Sequence, residues 1–144
     1  MAEPLIQVEG AGISFGGRPA LREVSFEVSE GEIFGFLGPS GAGKTTTIKL
    51  LTRQLRPQAG SVRLFGQPVE RLPVSAFDQI GVLTDTSGLY ERLSVEDNLN
   101  LFADLKGVPR ARALEALERV GLADRRRHYP TQMSGGQQQR GAIA

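Results

Sequence analysis

The chain has 144 residues, with 17 Lys and Arg against 16 Asp and Glu and a formal net charge of +1. This balance argues against a nucleic-acid partner, because proteins that bind nucleic acids carry a strong basic excess or stripe. Cysteine is absent, which excludes disulfides and thiolate metal sites. There is no basic leader and no run of about 18 apolar residues. We therefore expect a protein of the cytoplasm, either free or peripheral on the inner face of the cell membrane.

Short runs of alternating apolar and polar residues fill the first 28 positions. Gly10 and Gly12 interrupt them, and Gly16-Gly17-Arg18-Pro19 has the composition of a turn. This pattern predicts an antiparallel hairpin or meander. A further turn at residues 30–32 leads to Ile33–Leu37, which is continuously apolar and therefore predicts a strand covered on both faces.

The next stretch, from Gly38 to Thr46, has the form G-x-x-x-x-G-K-[ST], and the helix-compatible run Thr45 to Leu51 follows it. Glycines allow consecutive N–H groups to face inward, and a following helix directs its partly positive N-terminus to the same point. A Gly-rich turn in front of a helix is the alternative, and the motif with its flanks favours nucleotide phosphate binding. Lys44 would add a charge for the β- and γ-phosphates, and the Thr45 hydroxyl would hold Mg²⁺. The predicted site residues are Gly38, Pro39, Ser40, Gly41, Ala42, Gly43, Lys44, Thr45 and Thr46.

Three short elements are predicted between this helix and residue 88. Ser61 to Phe65 alternates as a strand does, and a turn follows it. Val74 to Gln79 suits a single helical turn. Ile80–Leu83 predicts another brief strand, which ends in the polar loop Thr84–Gly88.

Helices are predicted from residue 94 onward. Ser94–Asp97 has the form of a capping box for a helix that runs to Gly107. Pro109 suits the first turn of a second helix, which Gly121 ends. Ser134 can cap a third.

The segment Met133 to Gln137 reads Met-Ser-Gly-Gly-Gln. It resembles the LSGGQ signature of ATP-binding cassette (ABC) ATPases, with Met for the leading Leu. Phe15 stands upstream of the P-loop where that family usually has a Tyr that stacks on adenine, and Phe keeps the stacking face. A core position is the alternative for a Phe in a strand. The resemblance covers the whole chain.

This resemblance implies an α/β fold, a P-loop NTPase (ABC ATPase) core with an N-terminal antiparallel β element and a helical subdomain, the C-terminal part of the sheet being missing. It divides the chain into a nucleotide-binding core over residues 1–86, a helical subdomain over 87–140 and the start of a return to the core over 141–144.

The resemblance also implies ATP and Mg²⁺ as ligands and a head-to-tail dimer of two cassettes that depends on ATP. In such a dimer the signature of each cassette caps the γ-phosphate held by the other, because a hydroxyl, exposed amides and a helix N-terminus form an anion cradle. The implied partner is a transmembrane permease, and the run Gly88–Ser94 is similar to the partner-facing region of exporters. The residues that would act in trans are Ser134, Gly135, Gly136 and Gln137.

Two features depart from the family. Asp85 stands at the position of a Gln that contacts Mg²⁺ and the attacking water, and an ionised carboxylate can ligate the metal but cannot donate a hydrogen bond. No apolar run ending in Asp-Glu follows residue 137, so the Walker B strand and the catalytic Glu are absent and no catalytic residue is assigned. We therefore expect the N-terminal part of a cassette that binds ATP, hydrolyses it poorly or not at all, and is marginally stable or oligomeric alone.

Two other functions share this site. A soluble ABC-type ATPase of DNA repair or translation is disfavoured by the near-neutral charge, and co-purification with membranes or with ribosomes separates it from a transporter subunit. A non-hydrolysing nucleotide-binding module is the second alternative, which an ATPase assay separates from an enzyme.

Overall fold

The structure is a computed structural model that describes residues 3–83 and 88–144. The chain divides into two compact units, Met1–Gln79 and Ile80–Ala144. The predicted boundary after residue 86 falls among residues that the structure does not describe, and it stays a prediction.

The first unit contains a four-stranded antiparallel sheet and one α-helix. The elements are β1 (Ile6–Phe15), β2 (Arg18–Val28), helix α1 (Lys44–Leu51), β3 (Ala59–Leu64) and β4 (Gln67–Pro68), with 3₁₀ turns at Val69–Arg71 and Val74–Gln79. The strand order in the sheet is β2-β1-β3-β4. The predicted hairpin is confirmed, because β1 and β2 join through Gly16 and Gly17, whose φ angles of 54° and 76° suit the two-residue turn that matches strand twist.

The core of this unit lies between the sheet and α1. Val8 on β1 and Val62 on β3 face each other across the ladder and are buried, as is Leu50 on α1. Thr47, also buried, donates from Oγ1 to the Gly43 carbonyl at 3.1 Å, so its hydroxyl is satisfied inside the helix. The helix is therefore held against the sheet by its apolar face.

The prediction of a buried strand at Ile33–Leu37 is wrong for the described structure. A continuous apolar run indicates a tendency to be buried, but a strand forms only where another strand takes up its hydrogen bonds. None of the four described strands pairs with this run. Ile33 and Leu37 are 99% and 94% exposed.

Aromatic stacking holds the middle of this run instead. The ring of Phe34 lies 5.1 Å from that of Phe26 on β2, and the ring of Phe36 lies 5.5 Å from it. The predicted strand at Ile80–Leu83 is likewise irregular, for the same reason that no described strand pairs with it.

The second unit is helical and has its own core. Its elements are α2 (Val95–Lys106), α3 (Ala111–Arg119) and α4 (Gly135–Ile143), with 3₁₀ turns at Ala123–Arg125 and Pro130–Gln132. The three predicted helices are thus confirmed, although α3 begins two residues after Pro109. One apolar cluster joins α2 and α3 to the segment that precedes α4, and it is made by Val95, Leu99, Ala113, Leu117, Leu122 and Met133.

The longest helix in the described residues, α2, has 12 residues. Within that part of the chain, no helix combines the length and the apolar character needed to cross a bilayer.

Candidate functional site

The glycine-rich loop of residues 38–43 ends at the N-terminus of α1. Gly43 is the N-cap residue of the helix and has a φ of 89°, a left-handed backbone conformation that residues with a side chain rarely adopt. A Cβ on Gly43 would collide with the Leu21 side chain and would lie 2.7 Å from the Ala20 carbonyl oxygen. The loop therefore approaches β2 as closely as only glycine permits.

Open backbone donors face outward at this helix N-terminus. Gly43 gives no side-chain cap, and the amides of Lys44, Thr45 and Thr46 have no backbone acceptor among the described residues. The helix dipole adds partial positive charge at the same point. Lys44 extends back over the loop, and its Nζ donates to the carbonyls of Gly38 at 2.6 Å and Pro39 at 2.8 Å.

A cavity of about 330 Å³ opens between the loop, the start of α1 and β2. Its size lies at the lower end of the range for small-molecule sites. Among the described residues, Lys44 is the only charged side chain in its lining, so the cavity suits an anion. The lining residues are Ala20, Ser40, Gly41, Gly43, Lys44, Thr45 and Thr46.

The residues present fit a magnesium ion only in part. Thr45 lines the cavity and offers a hydroxyl oxygen, but no carboxylate in the described part of the chain lines it. In the described residues, no group of three or more His, Cys, Asp or Glu could hold a metal. Mg²⁺ commonly takes few protein ligands and completes its shell with phosphate oxygens and water, which suits a lone Thr hydroxyl. Asp85, the second predicted ligand, lies outside the described residues.

Phe15 is the last residue of β1 and is 49% exposed, so the core alternative does not hold. It pairs with Arg18 across the hairpin turn. The register shifts between the pairs Ile13–Leu21 and Ser14–Pro19, which leaves Ala20 as an extra residue on β2. Such bulges redirect the chain. Ala20, in the cavity wall, and Arg18 are two residues apart along β2, and Phe15 lies one interstrand spacing from Arg18. These two distances together place Phe15 within roughly 12 Å of the cavity wall.

The signature segment lies in the other unit. The Gln137 amide donates to Ser134 Oγ at 3.3 Å, and the Ser134 amide donates to Gln137 Oε1 at 2.9 Å. These two hydrogen bonds form the predicted capping box of α4. Gly135 and Gly136 are exposed, and a Cβ on either would meet nothing within 4 Å. The helix N-terminus is therefore open to an approaching surface.

The sequence pattern of the family described as ABC transporter matches residues 21–144. The chain belongs to this family. Among the curated ABC relatives, the daunorubicin resistance ATP-binding protein DrrA3 of Streptomyces coeruleorubidus is 40% identical over 97% of the chain and 46% of its own length. The methionine import ATP-binding protein MetN of Rhizobium etli is 38% identical over 99% of the chain and 42% of its own length.

The chain spans about half the length of these curated ABC relatives. A solved structure titled as an ATP binding subunit of an ABC transporter matches 96% of the chain and 60% of that protein, with a TM-score of 0.77 and 30% identity. The structure of cbiO1 from Clostridium perfringens matches with a TM-score of 0.83 at 22% identity, covering 99% of the chain and 60% of that protein, and it supports the α/β fold.

Two residues that the sequence did not single out have definite roles in the structure, Ala20 at the cavity and Asn98 in the helical unit. Ala20 forms a wall of the cavity, and a small apolar residue in a strand gives no signal for that. Asn98, fully buried on α2, accepts from the Tyr90 amide at 2.7 Å and donates to the carbonyls of Tyr90, Leu93 and Ser94. The sequence feature that could identify Asn98 is a polar residue next to Leu99, on the face of the helix that is otherwise apolar.

Proposed function

We propose that the chain is the nucleotide-binding part of an ABC transporter subunit and that its cavity holds the triphosphate of ATP. The observation that carries this proposal is the open N-terminus of α1 beside Lys44, in a cavity to which residues 3–83 and 88–144 contribute no acidic side chain. Phosphate oxygens would replace the Gly38 and Pro39 carbonyls as partners of Lys44 Nζ, and the amides of Lys44 to Thr46 would donate to the same oxygens. Thr45 would hold Mg²⁺ together with the phosphates.

Phe15 would stack on the adenine ring. Its exposure and its place beside the bulge at Ala20 support this role, because an aromatic ring half open to solvent gains by covering a base. A nucleoside triphosphate is long enough to join the two positions.

Hydrolysis is a separate matter from binding. Phosphoryl transfer to water depends on a group that orients the water, and among the residues that the structure describes no carboxylate lines the cavity. This observation favours binding without turnover, so the non-hydrolysing module is the second candidate for these 144 residues. A coupled phosphate-release assay separates the two, since release at a rate above the Lys44→Ala background would show an enzyme.

The further parts of the proposal concern the complete subunit. Ser134 to Gln137 would cap the γ-phosphate of a second cassette, which the open glycines Gly135 and Gly136 would allow. The second cassette and a transmembrane permease are the proposed partners, rather than a nucleic acid, and would place the protein on the inner face of the cell membrane. The proposal of export rests on the run Gly88–Ser94, since relatives named for resistance and for import are about equally similar.

Isothermal titration with Mg-ATP tests the binding site. Lys44→Ala removes the ammonium group from the cavity lining, and we expect affinity to fall roughly 10- to 100-fold, as for a charge-assisted hydrogen bond. Lys49→Ala is the matched control, because Lys49 lies exposed in the last turn of the same helix. Equal affinities for the two variants would contradict the proposal.

A further inference from the structure

The exposed side chain of Gln58 continues the hydrogen bonding between β1 and β3 beyond their last main-chain pair. The β1–β3 pairing stops at Gly12 and Ala59. Gln58, the residue before β3, donates its amide to the Gly12 carbonyl at 2.8 Å. Its carboxamide reaches one step further, accepting from the Ser14 amide at 2.9 Å and donating from Nε2 to the Ser14 carbonyl at 3.2 Å.

This two-point contact reproduces what a neighbouring strand would do. A primary amide carries a donor and an acceptor in the same plane, as a peptide group does. Both hydrogen-bonding groups of Ser14 are therefore paired on the β3 side, and the next residue is Phe15. Immediately after Phe15, the chain enters the turn at Gly16 and Gly17.

We infer that Gln58 is a positioning residue for Phe15, which it aims at the nucleotide base by fixing the Ser14 peptide. This inference rests on the proposed function of Phe15 in stacking on adenine. Gln58 itself makes no contact with the phosphate cavity, whose lining does not include it. We therefore expect Gln58 to affect only the part of the ATP affinity that comes from contacts with the base.

The predicted signature is a change in selectivity. Replacing Gln58 with Ala frees the Ser14 peptide and lets Phe15 sample orientations that do not cover a base. Affinity for ATP falls roughly threefold to tenfold, within the range of one net hydrogen bond, while affinity for inorganic tripolyphosphate is unchanged. A general loss of structure would lower both affinities together.

The experiment is a double-mutant cycle on the 144-residue chain. The dissociation constants of Mg-ATP and of Mg-tripolyphosphate are measured for wild type, Gln58→Ala, Phe15→Ala and the double variant. Gln67→Ala is the matched control, because Gln67 is exposed in the same sheet at the end remote from Phe15. Amide hydrogen exchange of Ser14 reports directly on the Gln58 contact.

We expect Gln58→Ala to lower ATP affinity and speed Ser14 exchange, and to add nothing once Phe15 is Ala. Loss of ATP affinity that persists in the Phe15→Ala background would overturn the inference, because Gln58 would then act by a separate contact. An effect of Phe15→Ala without one of Gln58→Ala would overturn the inference and leave the stacking proposal intact. If Phe15→Ala leaves the ratio of the two affinities unchanged, base stacking fails and the role of Gln58 fails with it.

Should Gln58→Ala fold poorly, Gln58→Glu retains the acceptor for the Ser14 amide and removes the donor, and the same outcomes decide.

Discussion

Gly43 is the residue at which the backbone conformation and the proposed phosphate site depend on each other. Its left-handed conformation turns the chain into α1, and its missing side chain leaves room for Leu21 and for the Ala20 carbonyl. We expect Gly43→Ala to lower the free energy of unfolding by about 2–4 kcal/mol, because backbone strain and a steric collision add.

Gly41→Ala separates the two causes. Gly41 has a φ of 82° but open space around it, so only the strain of about 1–2 kcal/mol applies. Urea denaturation of both variants measures the difference, and equal losses would contradict the steric argument.

Asn98 shows how one buried polar side chain fixes a loop. Its carboxamide pairs with backbone groups of Tyr90, Leu93 and Ser94, which precede α2. Asn98→Ala removes the partner of the Tyr90 amide and of the Leu93 carbonyl, whereas the carbonyls of Tyr90 and Ser94 still accept from backbone amides. We expect a loss of about 2–4 kcal/mol in the free energy of unfolding, because two part-buried polar groups are left unpaired. Asn100→Ala, in the same helix but only half-buried, is the control and should cost less than about 1 kcal/mol. A similar cost for both would show that helix propensity, rather than the loop contact, is responsible.

At the scale of elements, the sequence predicts helices better than strands for a physical reason. A helix satisfies its own backbone, and its ends are marked by local signals such as Ser94 and Ser134, both of which cap helices as predicted. A strand depends on a partner elsewhere in the chain. The hairpin β1–β2 brings its own partner, whereas Ile33–Leu37 has none among the described strands. Ala20 and Gln58 act through such tertiary pairings, which the sequence does not display.

The capping box of α4 makes a prediction at this scale. Ser134→Ala removes the acceptor of the Gln137 amide, and we expect about 1 kcal/mol less stability for the first turn of the helix. Hydrogen exchange of the Gln137 amide should accelerate roughly fivefold. Ser75→Ala, at an exposed serine in a 3₁₀ turn, is the control. Unchanged Gln137 exchange would mean that the cap does not form in solution.

The exposed apolar side chains have a consequence for the molecule as a whole. Ile33 and Leu37 are almost entirely open to solvent, and they flank Phe34 and Phe36 in the sequence. Large apolar side chains exposed close together along the chain favour association. We expect sedimentation to show concentration-dependent self-association, reduced by the double change Ile33→Ser and Leu37→Ser. Val74→Ser, at another exposed apolar residue, should leave association unchanged. A wild-type chain that stays monomeric at every concentration would refute this expectation.

The central claim is that main-chain amides and one ammonium group hold a triphosphate at the start of α1. Amide chemical shifts during a titration with Mg-ATP test it most directly, because they report each donor separately. We predict saturable shifts at the amides of Gly41 and Gly43 to Thr46, which tripolyphosphate reproduces and which require roughly 10- to 100-fold more ligand in Lys44→Ala. Saturable binding that leaves these amides unmoved, or no binding by folded protein, would contradict the account.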